Sequence, residues 1–308
     1  DRWRRRDLEQ HAARWARRPK RPLVFTYHTH YDRYAHYVPG PSRLVARLAV
    51  RQAVAFANHA DLVIVPGPAV ARTLHAHGVK TPVAIVPTGV ALPAESGNNS
   101  RMEVRQALGL GEGNPLCLSV GRLAREKNQG FLLSAFALIL KDLPAARLVL
   151  VGEGDDRPRL ERLTRVLGIG ERVRFVGAVP HEAVGDYYRA ADLFLFPSTS
   201  ETQGIVVLEA MAADLPVVAV ASDAAADLLG DGRGGILTPE EPAPFARSVV
   251  ELWGQPERRQ AMGMAGRQIT AAYAPDACAA KLLGLYEELL RVSRAVPARV
   301  RVIRPREA

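Results

Sequence analysis

The chain has 308 residues, of which 48% are hydrophobic and 24% are charged, as in ordinary globular proteins with one or two folded cores. Its only two cysteines, Cys117 and Cys278, are too few for a disulfide framework or a cysteine metal site. No uncharged apolar run is long enough to span a bilayer and no signal-peptide pattern is present, so we expect a cytoplasmic protein, soluble or peripheral at the inner face of the membrane.

The formal net charge of +9 is concentrated at the ends of the chain. Residues 3–18 predict a basic helix that also carries Trp3, Leu8 and Trp15. Such a helix suits an anionic membrane surface, and equally a solvated face of an arginine-rich protein. Nucleic-acid binding is the least favoured interpretation, and we predict no nucleic-acid partner.

The first half of the chain contains only three predicted strands. Between and around them we predict helices over Ser42–His59 and Pro68–His77 and a polar, aromatic loop over His28–Pro39, which either faces an acceptor or packs in the core. The strands are Leu23–Tyr27, Leu62–Val65 and Val83–Val86. Three strands are fewer than a doubly wound domain needs, so residues 1–95 predict an incomplete, partial Rossmann-like domain.

The second half is a regular α/β series that follows a turn-forming linker, Ala91–Ser100, and a helix over Arg101–Leu108. Its predicted strands are Leu116–Val120, Leu148–Val151, Val173–Val176, Leu193–Phe196, Val217–Val220 and Gly235–Leu237. Strands that alternate with helices predict a parallel sheet with right-handed crossovers. Residues 101–275 therefore predict a complete Rossmann domain, followed by a helix over 276–292 and a basic tail over 293–308.

The stretch Pro197–Ser222 predicts a strand, a polar loop, a helix that begins near Gly204, and a second strand. At the start of that helix the amides of Gly204, Ile205 and Val206 form a ready site for a phosphate. Glu201 precedes the helix, and at that place an acid is as often only a partner of the helix dipole. Glu209 lies within the helix among apolar residues, where a carboxylate is rarely left without a partner.

Polar and glycine residues follow each strand of the second half, and the carboxyl ends of parallel strands converge on one cleft. In that cleft Arg122 and Lys127 would hold a diphosphate, although the two cations could also be a surface pair on a loop. No D-x-D pair is present to hold a divalent metal, and the H-x-H pairs at His28 and His75 lack a third ligand. A diphosphate between carboxylates indicates a nucleotide sugar, with Glu209 on the ribose diol and Glu201 on the sugar hydroxyls.

We assign the catalytic roles to Arg122, Lys127 and Glu201. The predicted donor-binding residues are Gly121, Gly152, Val179, Ser198, Gly204, Ile205, Val206 and Glu209.

Four stretches together resemble the retaining GT-B glycosyltransferases of family 4: VGRLAREKNQGFLLSAF from Val120, LVLVGEGDDRPRLE, RVRFVGAVPHEAVGDYYRAADLFLFPS and SETQGIVVLEAMAADLPVVA. The E-x7-E pair of that family corresponds to Glu201 and Glu209, and its diphosphate-binding cations correspond to Arg122 and Lys127. The resemblance implies two facing Rossmann domains, transfer from a nucleoside-diphosphate sugar with retention at the anomeric carbon, and no metal requirement. It also implies that helix 276–292 crosses back to the first domain.

The runs VFTYHTHYDRYAHYVPGPS and IVPTGV look most like the diacylglycerol glucosyltransferase branch of this family. That likeness implies glucose transfer from UDP-glucose, as a co-substrate with no further cofactor, to a lipid such as diacylglycerol. The alternatives are a mannosyl- or N-acetylglucosaminyltransferase with another acceptor, or a truncated remnant that binds nucleotide without turnover.

The chain departs from the family pattern in two respects. The glycine-rich acceptor loop and the histidine that the family has before the strand at Leu23 are absent, and we do not transfer the role of that histidine to His28. Asp214 stands where the family usually has glycine, and Ser222–Asp227 replaces its customary glycine pair and glutamate. Both departures lead us to expect an unusual sugar or acceptor preference.

Overall fold

The computed structural model describes residues 21–29, 42–91, 101–111 and 113–295. The chain divides into two compact units, one formed by residues 1–89 together with 275–308 and the other by residues 90–274. The predicted basic helix 3–18, most of the loop 28–39, nearly all of the linker and the tail from residue 296 lie outside the described residues.

The first unit contains a parallel sheet of three strands in chain order, β1, β2 and β3. Strand β2 is buried along its whole length because its sequence LVIV is apolar on both faces, as expected for a central parallel strand. In chain order the elements are β1 (Val24–Thr26), α1 (Ser42–Ala57), β2 (Leu62–Val65), α2 (Pro68–Ala76) and β3 (Val83–Ile85).

The second unit is a six-stranded parallel sheet with helices on both faces. Its first part comprises α3 (Arg101–Ala107), β4 (Leu116–Val120), α4 (Gln129–Asp142), β5 (Arg147–Val151), α5 (Arg157–Val166), β6 (Val173–Gly177) and α6 (His181–Ala190). The second part comprises β7 (Leu193–Phe196), α7 (Ile205–Ala212), β8 (Val217–Val220), α8 (Asp223–Leu229), β9 (Gly235–Thr238), α9 (Pro242–Trp253) and α10 (Pro256–Thr270).

The strand order of this sheet is β6-β5-β4-β7-β8-β9, so β4 lies between β5 and β7. From β4 the chain first proceeds outward through β5 and β6, and then returns to place β7 on the other side of β4. The order therefore reverses between β4 and β7, which is the point of a doubly wound sheet where ligands bind.

A buried cluster of polar groups joins β4 and β7 at their amino ends, opposite the carboxyl edge of the sheet. The carboxylate of Asp192, directly before β7, accepts the amide of Leu116 at the start of β4 and the guanidinium of Arg105 from α3. Arg105 also donates to the carbonyl oxygens of Ala190 and Gly111, so its buried charge is satisfied from several sides. These hydrogen bonds hold the amino ends of β4 and β7 together.

The last helix, α11 (Pro275–Ala295), belongs to the first unit. Its residues Leu282, Leu285 and Leu289 pack with Leu62, Ile64 and Val86 of the three-stranded sheet. A side chain added at Gly89 would place its Cβ 2.6 Å from the Cα of Pro275, so the chain leaves this unit beside the point where it re-enters it.

The described strands agree with the predicted bounds to within one residue at each end. Two predicted domain limits need correction. The first division lies at Gly89 rather than 95, because the Val90 amide donates to the Tyr273 carbonyl and the Val90 side chain packs in the core of the second unit. Helix α11 continues to Ala295 instead of ending at 292, since no proline interrupts it before Pro297.

Replacing Gly152 by alanine is expected to lower the free energy of unfolding by at least about 2 kcal/mol. Gly152 has a φ of 134°, and an added Cβ would collide with the carbonyl oxygen of Gly121. The matched control is Gly113→Ala, since a Cβ there meets nothing within 4 Å, and its expected change is within about 0.5 kcal/mol. Urea unfolding of both variants measures the difference, and equal midpoints would contradict the close approach of these two loops.

Candidate active site

The loops that follow β4 and β7 touch each other at the point where the strand order reverses. The Asn128 side-chain amide donates to the Pro197 carbonyl at 3.3 Å, and the Ser200 hydroxyl donates to the Glu126 carbonyl at 2.9 Å. Asn128 also donates to the Glu240 carboxylate at 2.7 Å, which brings in the loop that follows β9. Polar groups that are distant in sequence therefore form one site at the carboxyl edge of the sheet.

An ion pair joins Lys127, after β4, to Glu201, after β7. A short 3-10 helix, Arg125–Lys127, followed by Asn128 in the left-handed conformation, presents the lysine at this edge. Both side chains keep part of their surface, with 17% of Lys127 and 24% of Glu201 exposed. The pair is therefore close to solvent, and either partner can exchange the other for a ligand.

Three glycines bring the ends of β4, β5 and β6 into backbone contact. Gly121, Gly152 and Gly177 all have φ angles in the region that favours glycine, at 149°, 134° and 89°. The Gly121 amide donates to the Val151 carbonyl and the Gly152 amide donates to the Gly177 carbonyl, each at 2.9 Å. Backbone thus lines this side of the cleft, where side chains would fill the space that a ligand needs.

Arg122 forms an ion pair with Glu126 of the same loop. The Glu126 side chain is only 4% exposed whereas that of Arg122 is 51% exposed, so a buried carboxylate supports an accessible guanidinium. The structure connects Arg122 to the loop before α7 through Glu126, whose carbonyl accepts the Ser200 hydroxyl.

Gly204, which has a φ of 72°, is the residue directly before helix α7. Glycine satisfies this backbone requirement and, because it has no side chain, provides no cap for the amides of Ile205 and Val206. The Gly204 carbonyl accepts the Val207 amide at 2.9 Å, so the helix is established from its first turn. Its positive end therefore faces the loop that carries Glu201.

Glu209 is half-buried and accepts a hydrogen bond of 2.8 Å from the hydroxyl of Tyr188 in α6. Burial raises the pKa of Glu209 above its ordinary value, although the Tyr188 hydrogen bond and the nearby His181 oppose that shift. Within the described residues no cation lies at ion-pair distance from this carboxylate. Glu201 is thus paired with a cation and Glu209 with a neutral phenol.

Two predicted donor-binding residues support the loops. Ser198 is 2% exposed and its hydroxyl lies 3.4 Å from that of Ser200. Val179 is half-buried and packs against the core cluster that includes Phe196 and Val207.

Sequence reasoning missed Tyr188, Glu126 and Asn128. Asn128 was recognisable in principle, since asparagine is among the few residues that readily adopt a positive φ. The partners of Glu209 and Arg122 were not recognisable. The sequence does not show which way the side chains of Tyr188 and Glu126 face, because that depends on how their segments pack.

The second departure from the family pattern, at Asp214 and at Ser222–Asp227, fits the local backbone. Asp214 has a φ of 57°, which explains why glycine is usual there, and its carboxylate accepts Arg267 at 2.9 Å. The Ser222 hydroxyl accepts the Ala225 amide at 3.3 Å and so caps α8.

The first unit has a pocket of about 320 Å³ of its own. It lies at the carboxyl ends of β1 and β3 and along α11. Burial lowers the pKa of His28 in its wall, which keeps the imidazole neutral at neutral pH. The lining residues are Thr26, His28, Ile64, Val86, Pro87, Thr88, Gly89, Pro275, Cys278, Ala279, Leu282 and Tyr286.

A doubly wound domain with cations, glycine loops and a helix start at its switch point is typical of domains that bind phosphate-containing ligands. Residues 100–269 match the family described as glycosyl transferases group 1, and residues 9–92 match glycosyltransferase family 4. The chain belongs to the glycosyl transferases group 1 and has two α/β units of the GT-B fold, which confirms the family and the fold class expected from the motifs.

The curated relatives include two alpha-monoglucosyldiacylglycerol synthases. The Streptococcus pneumoniae protein is 35% identical over 72% of this chain and 51% of its own length. The Acholeplasma laidlawii protein is 29% identical over 89% of this chain and 71% of its own length. The chain thus spans about half the length of the first of these relatives.

Among solved structures, an Anabaena protein in complex with UDP and glucose superimposes with a TM-score of 0.76. The match covers 89% of this chain and 74% of that chain, at 23% identity. This likeness supports the fold. Within the ranges that the structure describes, no helix has both the length and the apolar character needed to cross a membrane.

Glu209→Gln is expected to raise the free energy of unfolding at about pH 7.5 by on the order of 1 kcal/mol. The raised pKa means that the ionised carboxylate costs free energy in the folded state, and glutamine removes that charge while its carbonyl still accepts from Tyr188. The gain should become small at about pH 4, where the Glu209 carboxyl is mostly protonated in both the folded and the unfolded state.

Urea unfolding at about pH 7.5 and about pH 4 measures this dependence. The control, Glu201→Gln, should give no gain at either pH because it leaves Lys127 without its partner. Destabilisation by Glu209→Gln at neutral pH would show that the Glu209 carboxylate is not penalised by burial.

Proposed function

We propose that this chain transfers a hexose from a nucleoside-diphosphate sugar to a hydroxyl acceptor, with retention of the anomeric configuration. UDP-glucose is the favoured donor and a lipid such as diacylglycerol the favoured acceptor. The observation that carries the proposal is the Lys127–Glu201 ion pair at the switch point of the second unit, beside the uncapped start of α7.

The diphosphate of the donor binds at this edge of the sheet. Lys127 and Arg122 supply positive charge, and the amides of Ile205 and Val206 supply donors at the positive end of a helix. An incoming diphosphate competes with Glu201 for Lys127, so donor binding frees the Glu201 carboxylate for the hydroxyls of the sugar. The ion pair thereby keeps both groups in place until the substrate arrives.

The ribose of the donor binds at Glu209, whose half-buried carboxylate accepts hydrogen bonds from the diol. A uracil base is favoured because the Anabaena protein of the same fold is solved with UDP and glucose. The nucleotide and the sugar then extend from α7 toward the loops after β4.

In the transfer step, the bond between the anomeric carbon and the diphosphate oxygen breaks as the acceptor oxygen forms its bond on the same face. The acceptor's proton leaves with the diphosphate, which is the nearest anion on that face. Arg122, Lys127 and the amides of α7 stabilise the departing charge, and these fixed cations take the place of a divalent metal.

The acceptor assignment is supported by the names of the two synthases and by the chemistry of the pocket in the first unit. Its walls combine apolar side chains such as Leu282 and Val86 with the hydroxyl groups of Thr26 and Thr88. The neutral imidazole of His28 can accept a hydrogen bond from an acceptor hydroxyl. An amphiphilic molecule such as a glycerolipid would contact the apolar side chains with its acyl chains and the hydroxyl groups with its glycerol. Because such a lipid resides in a membrane, the proposal includes a location at the inner face of the membrane.

Lys127→Met is expected to weaken UDP binding by at least about tenfold, because a charge-assisted contact to the diphosphate is lost. The matched control is Lys141→Met on α4, an exposed lysine, and it should bind UDP as the parent protein does. Calorimetric titration with UDP, GDP and ADP measures the effect and identifies the base. Equal affinity of both variants for the preferred nucleotide would refute the diphosphate assignment.

Ala279→Trp is expected to reduce transfer of glucose to dioctanoylglycerol by about tenfold or more, because the indole fills the pocket of the first unit. Ala280→Trp adds the same side chain to the next exposed position of α11, which does not line the pocket. UDP affinity should be unchanged in both variants. Equal transfer rates for both variants would exclude this pocket as the acceptor site.

The identity of the sugar is tested by measuring product release from glucose, mannose and N-acetylglucosamine donors. Release from the mannose or N-acetylglucosamine donor alone would show that glucose is not the transferred sugar.

A further inference from the structure

We infer that Tyr188 is a positioning residue for the donor ribose: its hydroxyl holds one oxygen of Glu209 so that the other is presented to the diol. This inference rests on the proposed function of the site. It concerns a residue of α6 that none of the sequence motifs singles out.

The geometry gives the Tyr188 hydroxyl one good acceptor. Its oxygen lies 2.8 Å from Oε2 of Glu209 and 3.4 Å from the carbonyl oxygen of Val206, and a phenol has a single proton to donate. The shorter contact is the hydrogen bond. Because Oε2 is occupied, Oε1 is the oxygen of Glu209 that remains for a ligand.

The ring of the tyrosine is packed in the core. Its side chain is 1% exposed, and its ring lies against that of Phe194 at a centroid distance of 5.7 Å. Phe194 in turn stacks on Phe196 of the same strand, so the phenol is anchored in the apolar core beneath the site. A rigid donor of this kind fixes the orientation of a carboxylate that would otherwise rotate about its side-chain bonds.

A tyrosine suits this position for a second reason, because its phenol is uncharged. A lysine or arginine would neutralise Glu209 and compete with the ribose hydroxyls, whereas a phenol satisfies one oxygen and leaves the negative charge. Burial and the adjacent carboxylate raise the pKa of Tyr188, so its proton stays available for the hydrogen bond. The contrast with Glu201, which pairs with Lys127, fits two carboxylates that bind different parts of one donor.

The test compares UDP with 2′,3′-dideoxyuridine diphosphate, which retains the base and the phosphates but lacks the diol. In the parent protein UDP should bind more tightly. Tyr188→Phe, which keeps the ring in the core, should reduce that preference by about tenfold and leave the affinity for the dideoxy nucleotide unchanged. The unchanged affinity also shows that the variant is folded. Tyr187→Phe, on the same helix, is the matched control and should retain the full preference.

Glu209→Gln and the double variant complete the cycle. If Tyr188 acts through Glu209, adding Tyr188→Phe to Glu209→Gln should cause no further loss of the diol preference. A preference that survives Tyr188→Phe but is abolished by Glu209→Gln would overturn the role of Tyr188 alone. A preference that survives Glu209→Gln would overturn the ribose assignment, and equal losses for both nucleotides would show that Tyr188 only supports the fold.

Discussion

The adjacency of β4 and β7 is the constraint on which the rest of the second unit depends. These strands are far apart in the sequence, yet they pair in the middle of the sheet and are fastened at their amino ends by Asp192 and Arg105. Their carboxyl ends must then open side by side, because neighbouring parallel strands point the same way. The ion pair of Lys127 with Glu201 is a consequence of that pairing.

Two carboxylates in one site are kept chemically different by their partners. Glu201 faces an ammonium group at the accessible rim, while Glu209 receives a phenol from the core and pays a burial penalty that raises its pKa. This division follows from depth alone: near the rim water can replace a lost partner, and deeper in the helix only a protein group can supply one. The same acid type is thereby held in two different electrostatic environments within one site.

The sheet of the second unit was predictable because each of its strands is a short apolar run between turn residues, and the alternation with helices permits few topologies. The positions of Gly204, Glu201 and Lys127 followed from that topology, since strand ends converge wherever the chain places them. What the sequence does not encode locally is the choice of partner across the sheet. The contacts of Glu209 with Tyr188 and of Arg122 with Glu126 depend on how α6 and the β4 loop are rotated, which side-chain packing decides. In the first unit, much of the predicted loop and the basic helix lie outside the described ranges, so the membrane-surface expectation stays a prediction.

The backbone hydrogen bond between Val90 and Tyr273 gives the second unit a property of its own. Its two ends are neighbours in space. In sequence the unit is an insertion into the first unit, and the chain enters and leaves it at adjacent positions. A domain whose ends are close together can be expressed separately, or inserted into a loop of another protein, without strain in its sheet. A unit built in this way can be combined with different partner units while its own sheet and loops stay intact.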